Sequence, residues 1–140
     1  MNNGVYLSIM DLGRMDLLVR CGAWAQFARL GYYPVVSSET ITFRKSLQPW
    51  QRFTVETRMA GYDEKAAFVE QRFVVNGEIY AQGFVRGRFL KKSGGTVSLA
   101  ELAAALGVDT SELTLPDWLK RWSDDVALPP TRGEAPSSWS

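Results

Sequence analysis

Apolar residues recur at three- and four-residue steps near the start of the chain and at every second position further on. Tyr6, Met10, Gly13, Leu17, Cys21, Trp24 and Ala28 make one stripe, which predicts a single long helix over residues 4–30. Asn2 or Asn3 caps its start, because an Asn side chain accepts from first-turn amides. Gly31 stops it, since glycine tolerates the left-handed backbone of a helix end, and Pro34 keeps the next segment extended. Gly13 lies in mid-stripe, where glycine disfavours a helix. It makes sense there if another backbone approaches closely.

Beyond the helix the period drops to two. Ile41, Phe43 and Leu47 alternate with polar neighbours, as do Phe53, Val55 and Met59. So do Val69, Phe73 and Val75, and then Ile79, Ala81, Gly83, Val85, Gly87 and Phe89. These predict four strands with one apolar face. Asn76-Gly77 is a tight hairpin turn, and Gly61-Tyr62-Asp63-Glu64 turns the preceding pair, so the last three strands form an antiparallel meander. Glu56, Arg58, Glu70 and Arg72 lie on the polar face, with signs suited to cross-strand pairing. Ala81, Gly83 and Gly87 leave the apolar face of the last strand shallow, so that the helix can settle there with Gly13 in the contact. A one-sided sheet and one long amphipathic helix call for the helix to cover the sheet.

The rest is an accessory region. Ser98 and Glu101 form a capping box for a short helix through Leu106, ended by Gly107. Leu115-Pro116-Asp117-Trp118 starts another, with Leu119, Trp122 and Val126 on one side. The tail from Pro129 is rich in Pro, Ser and Gly and reads as disordered. The expected division is a core over residues 1–92, a helical extension over 93–128 and the tail over 129–140.

Composition narrows the chemistry. The chain has 140 residues, one domain's worth, and a net charge of +1, which gives no bulk field for nucleic acid or an anionic membrane. Cys21 is the single cysteine, so an internal disulfide is excluded and a cytoplasmic setting fits. No segment is apolar and long enough to span a bilayer. Histidine is absent, which removes Ser-His-Asp and Cys-His catalysis and histidine metal sites. No phosphate loop or dinucleotide fingerprint is present. No metal and no organic cofactor are expected, and any chemistry falls to carboxylates, hydroxyls, amides and backbone dipoles.

Met1-Asn2-Asn3-Gly4-Val5-Tyr6-Leu7, followed by Met10-Asp11-Leu12-Gly13-Arg14, resembles the opening of the central helix in hotdog-fold proteins of the 4-hydroxybenzoyl-CoA thioesterase type. The strand pattern through Leu90 continues the likeness. The resemblance implies an α+β hotdog fold, with an antiparallel sheet wrapped around the long helix. It further implies a homodimer or homotetramer, a site between subunits near the helix start, and hydrolysis of acyl-CoA or an acyl-carrier thioester to acid and thiol. In that family a strand, and an Asp in the loop after it, come before the helix. This chain opens at Met1, so the expectation is a start assigned too late, with the strand and the Asp upstream.

Thioester hydrolysis needs oxyanion donors and a base. Gly4 and Val5 are the candidate amides, with Asn2 and Asn3 alongside and Tyr6 as a further donor; the alternative is an ordinary capped helix with Tyr6 in the core. Asp11 is the candidate catalytic carboxylate; the alternative is an ion pair with Arg14 or Lys45. Arg86, Arg88 and Lys91 are candidates for the CoA phosphates, against a solvated polar face. Trp118 and Trp122 either cover an acyl pocket or dock their helix, and Cys21 reads as packing rather than nucleophile. The alternative function is a non-catalytic hotdog module that binds acyl thioesters or a partner.

Overall fold

The computed structural model describes residues 3–107, 109 and 114–139. The element order is α1 (Asn3–Arg20), α2 (Ala23–Leu30), β1 (Tyr32–Phe43), β2 (Thr54–Tyr62), β3 (Ala67–Val75), β4 (Glu78–Lys91), α3 (Leu99–Leu106) and α4 (Asp117–Val126). The four strands make one antiparallel sheet in the order β1-β4-β3-β2, so β1 and β2 are its edges.

The single helix expected over residues 4–30 is two helices. Gly22 takes the left-handed conformation, with φ of 76°, and ends α1 nine residues before Gly31 does the same for α2. The break changes which side chains face inward. Ala23 and Phe27 are buried, whereas Trp24, placed on the stripe by an unbroken period, is 41% exposed. The expected cap Asn2 lies outside the described residues.

The α1 stripe is seated by two close approaches. Met10 is fully buried and fills the place where β4 has no side chain: a Cβ on Gly83 would stand 2.5 Å from its terminal methyl. One turn further on, a Cβ on Gly13 would lie 2.9 Å from the Gln71 side-chain nitrogen and 3.1 Å from the Thr57 hydroxyl. The shallow face of β4 therefore receives Met10, while Gly13 meets β2 and β3. Tyr6 is buried edge-on between Phe43 and Phe73, each with ring centroids 4.9 Å away, and its hydroxyl accepts from the Leu47 amide at 3.1 Å. Burying each such large side chain contributes about 1.5–3 kcal/mol.

Strand boundaries follow the alternation with three differences, the first being that Leu47, expected in the first strand, lies in a loop beyond the end of β1. β1 begins at Tyr32, well before Ile41, because Tyr32–Val36 pair with Lys91–Gly87 despite Pro34; Pro34 sits on an edge strand, where a missing donor is tolerated. Gly61 and Tyr62 belong to β2, and the turn is made by Asp63, whose carboxylate accepts from the amides of Lys65 and Ala66. Asn76 and Gly77 form the β3–β4 turn with φ of 50° and 79°. On the outer face Glu70 is buried between Arg58, at 2.7 Å, and Arg72, at 3.2 Å.

The two short helices pack on opposite sides. On the α1 side, Leu102 of α3 clusters with Ala23, Phe27 and Ala67. The second, α4, puts Leu119 and Trp122 on Phe68 and Phe84 of the outer face, with Trp118 edge-on to Phe84 at 4.7 Å. Trp118 and Trp122 thus dock their helix. α3 carries the expected capping box. One Glu101 oxygen accepts from the Ser98 amide, and the other meets Lys91 at 2.7 Å and the Tyr32 hydroxyl at 3.3 Å.

Gly83→Val is expected to destabilise the protein by about 1–3 kcal/mol through overpacking. Gly87→Ala is expected to change little, because its nearest neighbours would be 3.8 Å and 3.9 Å away. Urea midpoints of the two variants check both. The Lys91 ammonium and the Ser98 amide hold the Glu101 carboxyl down to about 2. A folded-state value below the unfolded one contributes stability that is full above the ordinary carboxylate range and is lost progressively as pH falls from there to the folded value. Hydrogen-exchange protection in α3 is therefore expected to weaken progressively as pH falls below the ordinary carboxylate range toward about 2, and to fall at neutral pH in Glu101→Gln.

Candidate functional site

A cavity of about 380 Å³ lies between the second half of α1 and the sheet. Its roof is Leu17, Leu18 and Cys21; its floor is Ala67, Val69, Val85 and Gly87. Pro34, Val35 and Val36 form the side next to the β1 edge, and Met59 and Tyr62 the side next to β2. It exists because α1 is seated at Gly83 and Gly13 and then passes over Ala67 and Gly87, which are too small to fill the space beneath.

The charged residues of the lining, Asp11 and Arg14, stand together at one end. Arg14 is 13% exposed and pairs with the Asp11 carboxylate, which is 67% exposed at the rim. Arg14 also donates to the Gln71 side-chain oxygen at 2.8 Å and stands 3.5 Å from the Glu39 carboxylate. The amide nitrogen of Gln71 donates in turn to the Met10 carbonyl, at 2.9 Å, and to the Thr57 hydroxyl, at 3.1 Å. Burial pushes the Glu39 carboxyl up, the nearby Asp11 charge adds to this, and Arg14 opposes it. The result is two carboxylates around one guanidinium beside an apolar cavity, a setting suited to polarising or deprotonating a group at the rim.

The other sequence candidates are placed as follows. Asn2, and the side chain of Asn3, lie outside what is described. Gly4 and Val5 are in the exposed first turn of α1. Asp11 lies seven residues beyond Gly4, about 10 Å along a helix axis, so the two do not converge on one atom within a chain. Tyr6 is 1% exposed and belongs to the core, not to the cavity. Lys45 pairs with Glu78 rather than Asp11. Arg86 reaches Ser37 and Asp63, Arg88 reaches Thr96, and Lys91 holds Glu101. These three cations are gathered neither at the cavity nor at the helix start. Cys21 lines the cavity as an exposed free thiol.

Glu39 and Gln71 escaped the sequence reading, although parity marks both. Glu39 shares the inward phase of Ile41 and Phe43, and Gln71 lies between Val69 and Phe73. A polar residue on the apolar face of a strand is the signal that finds them.

The comparisons with known proteins agree with this architecture. The family model described as thioesterase-like superfamily matches residues 1–123. Protein THEM6 of Xenopus laevis is 35% identical over 88 residues, covering 63% of this chain and 42% of that protein. The chain spans less than two thirds of the length of the curated relatives it matches. Among solved structures, the probable thioesterase YbaW of Escherichia coli superposes with a TM-score of 0.71 at 19% identity, covering 76% of this chain and 83% of that one. The DHNA-CoA thioesterase of Staphylococcus aureus gives 0.63 at 17% identity, covering 89% and 77%. With a helix laid along one face of an antiparallel sheet in this topology, the chain has the hotdog fold and belongs to the thioesterase-like superfamily.

Proposed function

We propose that this chain binds acyl thioesters, of CoA or of an acyl carrier, and hydrolyses them, with the acyl group lodged in the cavity beneath α1. The observation that carries this reading is the pairing of an apolar cavity with a charged rim in a chain of the thioesterase-like superfamily. An acyl chain is apolar throughout and ends in a polar, reactive carbonyl, which matches a dry interior and a wet, charged mouth.

Asp11 is the proposed general base. It takes a proton from water as the water oxygen bonds to the carbonyl carbon. Collapse of that adduct breaks the carbon–sulfur bond, and the thiolate leaves to be protonated, giving acid and thiol. Arg14 orients Asp11 and presents positive charge to the developing oxyanion. The cavity is lined on one side by Pro34, Val35 and Val36 of β1, an edge of the sheet. A homodimer or homotetramer formed along that edge would place a partner at the mouth and carry the helix-start groups, Asn2, Asn3, Gly4 and Val5, to a shared site. In such an assembly Arg86, Arg88 and Lys91 supply cations for the phosphates of a CoA tail.

One observation favours the non-catalytic alternative: Arg14 already engages both Asp11 and Glu39. A binding module needs that network only for structure.

Thiol release from acyl-CoAs of graded length separates the two. Release that falls roughly hundredfold or more in Asp11→Asn supports hydrolysis with Asp11 as base, and saturable binding with no release supports the module. Neither binding nor release with any acyl-CoA rejects the reading. Gly87→Val, which adds a side chain to the cavity floor, is expected to weaken acyl-CoA binding by roughly tenfold, a loss of about 1.4 kcal/mol. Calorimetric titration against the parent chain checks it.

A further inference from the structure

We infer that Leu106, the last residue of α3, is the end stop of the acyl cavity and sets the longest acyl chain the protein accepts. This rests on the acyl-thioester reading above and adds a specificity-determining residue to it.

The cavity has a direction. Asp11 and Cys21, which line it at opposite ends, are ten residues apart along α1, about 15 Å of helix rise. The charged end, at Asp11 and Arg14, suits the carbonyl, so an acyl tail runs toward Cys21. There the lining passes from Leu18 of α1 to Tyr62 and Met59 of β2, Phe89 of β4 and Leu106 of α3, which pack in one cluster. Leu106 comes from outside the helix-on-sheet layers, so the cavity's length depends on where α3 sits.

That position is fixed on three sides. Leu102 is 4% exposed and packs beside Phe27 and Ala67. The Val97 amide donates to the Phe89 carbonyl at 2.8 Å, which ties the segment leading into α3 to β4. The Glu101 carboxylate holds Lys91 of β4 and the Tyr32 hydroxyl of β1, and its other oxygen caps its own helix. A helix anchored by packing, backbone pairing and an ion pair is a rigid wall. Leu106 itself is half-buried and ends its helix, next to Gly107 with φ of 67°. Trimming it removes wall, while Leu102, the Val97 amide and Glu101 still hold α3 in place.

The test measures dissociation constants of the parent chain, Leu106→Ala and Leu106→Phe for hexanoyl-, octanoyl-, decanoyl-, dodecanoyl- and palmitoyl-CoA. In the parent chain affinity is expected to rise by roughly fourfold for each methylene accommodated and then to stop rising or fall. Leu106→Ala is expected to move that break to a longer chain, and Leu106→Phe to a shorter one. Because binding is read directly, the outcome does not depend on turnover. A break at the same length in all three proteins overturns the end stop and leaves the acyl-thioester reading standing. Absence of binding by the parent chain to every acyl-CoA in the series overturns both.

Discussion

The structure depends on how closely one helix can approach one sheet. That distance is set at two places where a side chain is missing. Gly83 leaves β4 open to Met10, and Gly13 lets the backbone of α1 come down on Gln71 and Thr57. Beyond Gly13 the helix passes over Ala67 and Gly87 with nothing tall enough to meet it, and the gap is the cavity. The same economy of side chains on β3 and β4 therefore gives a close-packed core at one end and an apolar chamber at the other. Interiors are otherwise filled to crystal-like density, and a chamber of this size is the feature on which the proposed acyl-thioester reading rests.

At the boundary between the filled and empty halves stands a polar system on the inner face. Gln71 is fully buried and uses both ends of its amide, donating to the Met10 carbonyl and to Thr57 and accepting from Arg14. A buried amide is tolerable only when so satisfied. Arg14 in turn gathers Asp11 and Glu39. Helix, β1, β2 and β3 are thereby tied together at one register, since sliding α1 by a residue would leave Gln71 unpaired. The groups that suit chemistry at the rim are also those that fix the helix on the sheet.

Much of this was legible in the sequence because local sterics dictate it. Asn76-Gly77 can hardly be anything but a tight turn. Ser98 and Glu101 cap a helix by their own reach. The alternation of Val69, Phe73 and Val75 fixes a buried face. The break at Gly22 was not legible: Gly13 and Gly22 both fall within the span of one unbroken apolar period, yet one is helical and the other left-handed. The tertiary contacts of Ala23 and Phe27 decide between them. For the candidate site, Asp11 and Arg14 were readable as a pair one turn apart. Glu39 was not, because β1 starts earlier than its first alternating apolar residues suggest, and Gln71 was hidden by the apolar residues around it. The partners of the basic residues near the end of β4, Asp63, Thr96 and Glu101, were likewise not readable from the sequence.

The seat of α4 has a consequence for higher assembly. Two sheets stacked face to face lie about 10 Å apart, and a helix with its side chains is itself about 10 Å across. With Leu119 and Trp122 resting on Phe68 and Phe84, that interlayer is already occupied. Copies of this chain cannot stack sheet to sheet over those two rings while α4 stays docked.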